Sequence, residues 1–186
     1  LHDTVFPFAY NRFDELESLV KHHDIGVIKM EVSRNIGPEK GFLENIRQLA
    51  SRKNIVFVFD ECTSGFRENF GGLHKKYGVN PDMAIFGKAI GNGYGITATI
   101  GRREIMQAAQ STFISSTFWT ERIGPTAALK TLEVMESMCS YVKVPFYGKY
   151  NKSDYKYSNN KHQPAIFKIS VSYANIIRIE YISKEL

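Results

Sequence analysis

The run Ile55–Phe59 (IVFVF) constrains the fold of this chain more than any other stretch, because it is apolar at every position. A strand with one face in water alternates apolar and polar residues, whereas a parallel strand covered on both faces is apolar throughout. A second apolar run, Met83–Phe86, follows far enough along the chain for a crossover connection, which takes about a dozen residues or more. The two runs therefore predict neighbouring parallel strands.

The segments on either side of these runs extend the pattern to an α/β fold. Residues 24–32 contain a β-branched run that predicts an earlier strand. Residues 42–50 show the spacing of a helix that connects this earlier strand to the run Ile55–Phe59. Residues 96–100 alternate, which predicts a strand returning from the carboxyl edge of the sheet, and residues 124–138 predict a helix. We expect a three-layer, mostly parallel sheet flanked by helices.

The composition of the chain changes near Cys139. Residues 1–138 carry the elements described above, and we assign them to one domain. Residues 139–186 open with a stretch rich in Lys and Tyr and without a period, and they end with two alternating runs, IFKISVSY and NIIRIEYI. These two runs favour a β-hairpin, and we leave the segment without a functional assignment.

Composition and charge argue against several classes of function. The formal charge of +5 is modest and much of its excess lies in the last third, and the first two thirds of the sequence have no basic run with interleaved aromatic residues, so we expect no nucleic-acid partner. The two cysteines, Cys62 and Cys139, lack the spacing of a disulfide framework or a zinc site, and we expect no metal. No apolar run reaches about 18 residues and no signal peptide is recognisable, which favours a cytoplasmic protein without a membrane partner. Because the sequence opens with Leu1 in mid-pattern, we expect a fragment.

An acid and an amine stand at the ends of the two predicted strands. Asp60 follows the first apolar run, and Lys88 follows the second, just before a bend rich in glycine, Gly91–Gly95. The carboxyl ends of parallel strands converge on one crevice, so both groups can face one ligand. Pyridoxal phosphate needs such a pair: a lysine that burial at the strand end makes easier to deprotonate, and an acid that keeps the pyridine nitrogen protonated.

Simpler interpretations of the same residues remain open. A strand-terminal Asp often caps a helix or loop, and an isolated Lys is usually solvated. The Gly91–Gly95 bend also fits a nucleotide-binding module, although no clear helix follows it, and a loop that cradles phosphate needs one.

Four motifs in order carry a resemblance to a known family: Asp60–Arg67 (DECTSGFR), Gly78–Asp82 (GVNPD), Gly87–Gly93 (GKAIGNG) and Gly101–Met106 (GRREIM). Together they resemble the signature of the class III, fold-type I aminotransferases, and within that family the glutamate-1-semialdehyde 2,1-aminomutase-like subgroup. The resemblance covers roughly residues 7–136. It implies that residues 1–138 are an incomplete large domain of a pyridoxal-phosphate enzyme.

The resemblance also implies roles for five residues. Lys88 would form the internal aldimine with pyridoxal phosphate, and Asp60 would pair with the pyridinium nitrogen. Cys62 would pack under the ring, and Thr63 would offer its hydroxyl to the ring hydroxyl. Thr117 matches a residue that in this family binds the phosphate of the neighbouring subunit's cofactor, which implies a homodimer with shared active sites.

Other interpretations apply to several residues near the site. Cys62 could simply be a small buried hydrophobe, and Ser116 with Thr117 could form a plain turn. We expect Glu61 and Arg67 to stabilise their loop, Trp119 to cover the site, contact the dimer partner or pack in the core, and His74 to lie on the surface.

The function implied by the resemblance is the transfer of an amino group between a small-molecule donor and acceptor, or within one molecule as in an aminomutase. The alternative is a catalytically inactive remnant that keeps the fold and a dimer surface. This alternative arises because the family's phosphate loop and its arginine for a substrate carboxylate are not recognisable in the sequence.

Overall fold

The computed structural model describes residues 4–33, 35–114, 117–118 and 120–142, and the backbone of residues 168–171 and 177–180. Its main feature is a four-stranded sheet in the order β1-β2-β3-β4. The strands are β1 (Val27–Glu31), β2 (Val56–Asp60), β3 (Met83–Phe86) and β4 (Ala98–Gly101). The first three are parallel, and β4 is antiparallel to β3, as expected for a strand that returns from the carboxyl edge.

Helices connect and flank these strands. They are α1 (Phe13–His22), α2 (Phe42–Lys53), α3 (His74–Tyr77), α4 (Arg103–Met106) and α5 (Ile123–Met138), with short 3₁₀ turns at Lys88–Ile90 and Gln107–Ser111. The helix α2 ends where Asn54 takes a left-handed conformation at φ 56°, and α3 ends in the same way at Gly78, φ 69°. The predicted α/β class, an open and mostly parallel sheet flanked by helices, is confirmed.

The pairing register gives the sheet two unlike faces. Glu31, Asp60 and Ile85 are partners across β1, β2 and β3 and therefore share one face. Phe57 and Phe59 point to the opposite face and are fully buried. That face carries the main core, because α1 and α2 pack on it through the apolar residues of their inner stripes. Burial of each phenylalanine contributes roughly 2 kcal/mol.

A smaller apolar cluster joins α5 to the strand that precedes Lys88. Ala84 and Phe86 of β3 pack with Ile90 of the following turn and with Ala128 of α5. This contact fixes the turn after β3 against a helix of 16 residues. The position of Lys88 therefore depends on packing at both ends of its segment.

Asp82 ties the start of β3 to its neighbours, a role that the sequence did not predict. Its carboxylate is nearly buried and accepts hydrogen bonds from Phe57 N (2.8 Å), Arg47 Nη1 (2.8 Å) and Arg102 Nη1 (3.1 Å). Burial would raise the pKa of Asp82, but these donors outweigh it and hold the pKa below its ordinary value. The carboxylate thus joins α2, β2, β3 and the end of β4.

Two further strands pair away from the main sheet. They are β5 (Lys168–Val171) and β6 (Ile177–Glu180), which are antiparallel with Lys168 opposite Glu180. Among the described residues, no helix is long and apolar enough to cross a membrane. In the same residues, no group of three or more His, Cys, Asp or Glu side chains is arranged to hold a metal ion.

Candidate active site

The ends of β2 and β3 bring the predicted acid and amine to one edge of the sheet. Asp60 is the last residue of β2 and pairs with Ile85, while Lys88 follows the end of β3 after Gly87. Neither side chain is enclosed in an apolar core, since that of Asp60 is about one quarter exposed and Lys88 is exposed. The two groups therefore open onto the same side of the molecule, as expected from parallel neighbours.

Lys88 has an unusual backbone conformation. Its φ of 48° lies in the left-handed region, which is costly for a residue with a side chain and persists only where the surroundings hold it. The residue opens the 3₁₀ turn Lys88–Ile90, and the preceding Gly87 is extended at φ −166°. A Cβ on Gly87 would lie 2.6 Å from the sulfur of Cys62, so only glycine lets this turn approach the loop after β2.

The amine of Lys88 donates a hydrogen bond of 2.8 Å to Thr63 Oγ1. Thr63 belongs to the loop that follows Asp60, so this bond holds the end of the lysine side chain over the end of β2. The sequence led us to expect that burial would desolvate this amine. Among the described residues Lys88 is exposed, so the part of the chain that the structure describes does not bury this amine.

The carboxylate of Asp60 has two partners within the chain. Cys62 N–H donates to Oδ1 at 3.1 Å, and Lys29 Nζ donates to Oδ2 at 2.8 Å. Partial burial would raise the pKa of Asp60, but these hydrogen bonds and the positive charges of Lys29 and Lys88 outweigh it, so the pKa lies below its ordinary value. Asp60 is therefore ionised at neutral pH.

Lys29 is a site residue that the sequence did not predict. It lies on β1, on the same face as Glu31 and Asp60, and its hydrogen bond to Asp60, together with the charge of that carboxylate, raises the pKa of its ammonium. A signal was present in the sequence, since Lys29 is a charged residue inside a short strand. Its register partner Val58 lies two residues before Asp60, on the same face of the sheet.

The loop after β2 is anchored by Glu61, whose side chain is fully buried. Its carboxylate accepts hydrogen bonds from Leu73 N and His74 N, both at 2.9 Å, from His74 Nδ1 at 2.8 Å and from Ser64 Oγ. Glu61 thus stabilises the loop, as the sequence indicated. It also keeps Cys62 and Thr63 beside Asp60.

The prediction that His74 is a surface residue is wrong. Its exposed fraction is 8%, its ring stacks on Phe59 with centroids 5.9 Å apart, and its Nδ1 contacts the Glu61 carboxylate. His74 lies at the start of a short helix, and its neighbours Lys75 and Lys76 made the segment resemble a solvated turn. The partner that draws it inside is 13 positions away, beyond the range of local patterns.

The segment before α5 lies beside the bend of Gly91–Gly95. The ring of Phe118 would come within 3.5 Å of a Cβ on Gly95, and Gly124 packs against the carbonyl of the same glycine. Thr117 is exposed, and within the described part of the chain it makes no hydrogen bond to Lys88 or Asp60. Ser116 and Trp119 lie outside the described residues.

The glycine bend itself is too tight for other residues at one position. A Cβ on Gly91 would overlap the carbonyl oxygen of Tyr94, and Gly93 has a φ of 104°.

Among the described residues, a groove of about 660 Å³ lies elsewhere, between α1 and α2, and contains none of the predicted site residues. The candidate active site is thus an open ledge at the strand ends.

The chain is similar to known proteins over most of its length. The aminotransferase class-III family model matches residues 13–172. The chain is 39% identical over 145 residues to 3-aminobutyryl-CoA aminotransferase of Cloacimonas acidaminovorans, an alignment that covers 73% of this chain and 35% of that protein. It is 40% identical over 141 residues to glutamate-1-semialdehyde 2,1-aminomutase of Sulfolobus acidocaldarius, covering 72% of this chain and 34% of that protein.

Solved structures are similar in fold. The PLP internal aldimine form of the FumI protein from Sphingopyxis sp. MTA144 superimposes with a TM-score of 0.66 at 25% identity, covering 69% of this chain and 33% of that one. Ornithine δ-aminotransferase of Plasmodium falciparum gives a TM-score of 0.72 at 19% identity, covering 93% and 47%, and this likeness concerns the fold alone. The chain spans about a third of the length of the curated relatives it matches. It belongs to the class-III aminotransferase family.

Proposed function

We propose that this chain forms the cofactor-holding part of a pyridoxal-phosphate enzyme that transfers an amino group between small molecules or within one. The observation that carries the proposal is the meeting of an ionised carboxylate, Asp60, and a primary amine, Lys88, at one open edge of the sheet. These two groups fit the cofactor, whose ring supplies an electron sink for the bonds around the amino nitrogen.

Asp60 acts at the ring nitrogen in this proposal. A carboxylate whose pKa is held below its ordinary value stays negative at neutral pH and stabilises a positive charge placed against it. Its oxygens are fixed by Cys62 N–H and by Lys29, so the carboxylate does not need to reorient when the ring arrives. The negative charge of the carboxylate itself would favour the protonated ring nitrogen on which the electron sink depends.

Lys88 holds the cofactor through its amine and later moves protons as a base and an acid. The backbone strain at φ 48° fixes the direction in which the side chain leaves the sheet edge, and Thr63 holds the amine at 2.8 Å. The Thr63 hydroxyl, which accepts from the Lys88 amine here, would offer its hydrogen bond to the cofactor's ring hydroxyl once the cofactor engages that amine.

Cys62 and Thr117 complete the proposed site. Cys62 is partly buried against Gly87, between the loop after β2 and the turn that carries Lys88, which is a suitable position for a small group under the ring. Thr117 is exposed beside the glycine bend, a position from which it can contact a second subunit. We assign it to the phosphate of the partner's cofactor.

A homodimer with shared active sites is part of the same proposal. Apolar side chains around Thr117 are exposed, namely Phe113, Ile114, Phe118 and Ile123. Large exposed apolar patches on proteins mark interaction sites, which supports an interface here. The inactive remnant is not favoured, because the family match includes the acid, the amine and the loop between them. The cytoplasmic location stays a prediction from the sequence.

The proposal is tested in the whole protein, loaded with pyridoxal phosphate. We expect a visible absorbance band of the bound cofactor in the wild type and in Lys130→Ala, a matched variant on the exposed side of α5. We expect Lys88→Ala to lose the band. Borohydride reduction followed by peptide mass spectrometry should attach the cofactor to Lys88. A retained band in Lys88→Ala, or a label on another lysine, contradicts the assignment.

A further inference from the structure

Lys29 contacts the carboxylate that the proposed function assigns to the ring nitrogen. Its Nζ lies 2.8 Å from Asp60 Oδ2, and it reaches that oxygen from the neighbouring strand β1. The other oxygen, Oδ1, accepts the Cys62 N–H at 3.1 Å. Asp60 is therefore held from two sides before any ligand is present.

We propose that Lys29 is a positioning residue that acts through Asp60, sharing the carboxylate's negative charge and so weakening its hold on a positive ring nitrogen. This inference rests on the proposed function, in which Asp60 is the partner of that nitrogen. A carboxylate has about four lone-pair sites, so two donors from the chain leave room for a third from the cofactor. The third donor then competes with an ammonium for the same charge.

The charges around Asp60 set the direction of the effect. Lys29 and Lys88 are positive and lower the pKa of Asp60, although its partial burial acts in the opposite sense. Glu31 lies level with Asp60 on β1, and its negative charge acts on Lys29, as does the Cys62 thiol. Of Lys29, Lys88, Glu31 and Cys62, Lys29 is the residue whose charged side chain donates a hydrogen bond to the Asp60 carboxylate.

The contribution of this ion pair to stability is small, because the Lys29 side chain is 55% exposed. Its contribution to the basicity of Asp60 is a separate quantity, since it depends on the charge in contact with the carboxylate. Loss of that charge should raise the pKa of Asp60 toward its ordinary value. It should also let the carboxylate hold a protonated ring nitrogen more tightly, by roughly two- to tenfold.

The test compares the wild type with three variants of the whole protein. Lys29→Met removes the charge and leaves an unbranched side chain one heavy atom shorter, and Lys29→Arg retains the charge. Lys76→Met is the matched control, because Lys76 is 54% exposed and pairs with Glu68 at the same distance of 2.8 Å. Cofactor affinity is measured by titration of the visible band, and the titration of Asp60 in the cofactor-free protein is measured by carboxyl NMR.

We expect Lys29→Met to bind pyridoxal phosphate about two- to tenfold more tightly and to raise the NMR midpoint of Asp60, whereas Lys29→Arg and Lys76→Met match the wild type. Lys29→Gln serves as a second neutral variant if the Met variant is poorly folded. An Asp60 midpoint and an affinity that are unchanged in the neutral variants overturn the inference. A wild type without a Lys88-dependent band contradicts the proposed function instead, and the NMR midpoint still reports on Lys29.

Discussion

Glu61 is the most completely buried acidic side chain among the described residues, and the loop that carries Cys62 and Thr63 depends on it. We expect Glu61→Gln to lower the free energy of unfolding by about 2 kcal/mol, because Leu73 N–H and His74 N–H bond to different oxygens of Glu61 and the amide NH2 of Gln would place a donor against one of them. Urea titration measures the loss. Glu68→Gln is the control, since its half-exposed ion pair is worth less than about 1 kcal/mol. Equal losses would contradict the anchoring role.

The same variant should respond differently to pH. Burial would raise the pKa of Glu61, but the hydrogen bonds from His74, Ser64 and Leu73 outweigh it and hold the pKa below its ordinary value of 4.5. A carboxylate of lowered pKa stabilises the fold fully above its ordinary pKa and loses that contribution as the pH falls through the folded-state value. The stability difference between wild type and Glu61→Gln should therefore be constant near neutral pH and shrink in acid.

Residues of the candidate site were predictable to different degrees. Asp60 and Lys88 could be found because Asp60 directly follows one apolar run and Lys88 follows another after Gly87, a pattern visible in the sequence alone. Lys29, His74 and Asp82 act through partners on other elements, as in the bond from Arg47 to Asp82 across 35 positions. Such contacts depend on register and helix packing, which local patterns do not encode.

At the scale of elements, the close packing of the turn after β3 against the loop after β2 can be tested at Gly87, which lies beside the sulfur of Cys62. A Cβ on Gly87 would lie 2.6 Å from Cys62 Sγ, so we expect Gly87→Ala to cost about 1–3 kcal/mol by overpacking. Cys62→Ala removes the sulfur, and the double variant should therefore lose less stability than the two single losses together. Urea titration of the cofactor-free protein measures all three. Additive losses would show that the contact does not limit the turn.

The sequence predicted the positions of helices and strands best where an element has a buried apolar face. The strand β2 lies one residue beyond its predicted range of 55–59, and the helix α2 begins as predicted at residue 42 but runs on to Lys53 rather than 50; both have a continuous apolar surface against the core. The segment after Arg102 forms only the single turn α4 followed by a 3₁₀ turn, Gln107–Ser111. Neither has a buried residue, and short helices without such packing are marginal.

Two surfaces remain exposed in the described part of the chain, the edge of the sheet with Asp60 and Lys88 and the apolar region around Thr117. The main core is closed by α1 and α2 on one face of the sheet, whereas the edge with Asp60 and Lys88 is open and the region around Thr117 exposes apolar side chains. Both open surfaces meet near the glycine bend, where Phe118 approaches Gly95. A second subunit placed against this region would cover the apolar side chains and supply a wall to the ledge, which joins the proposed dimer to the proposed chemistry.

The proposed dimer can be tested at Phe113, whose exposed fraction of 92% is the highest among the large apolar residues described. We expect Phe113→Asp to weaken association by about 2 kcal/mol or more, because it removes an aromatic contact and buries a charge at the interface. Analytical ultracentrifugation of the whole protein should find a wild-type dimer that this variant shifts toward monomer at low micromolar concentration. Val5→Asp is the matched control, since Val5 is 83% exposed and precedes α1. The Val5→Asp variant should remain dimeric, because this charge faces solvent. A Phe113→Asp variant that stays as dimeric as Val5→Asp would place the interface elsewhere.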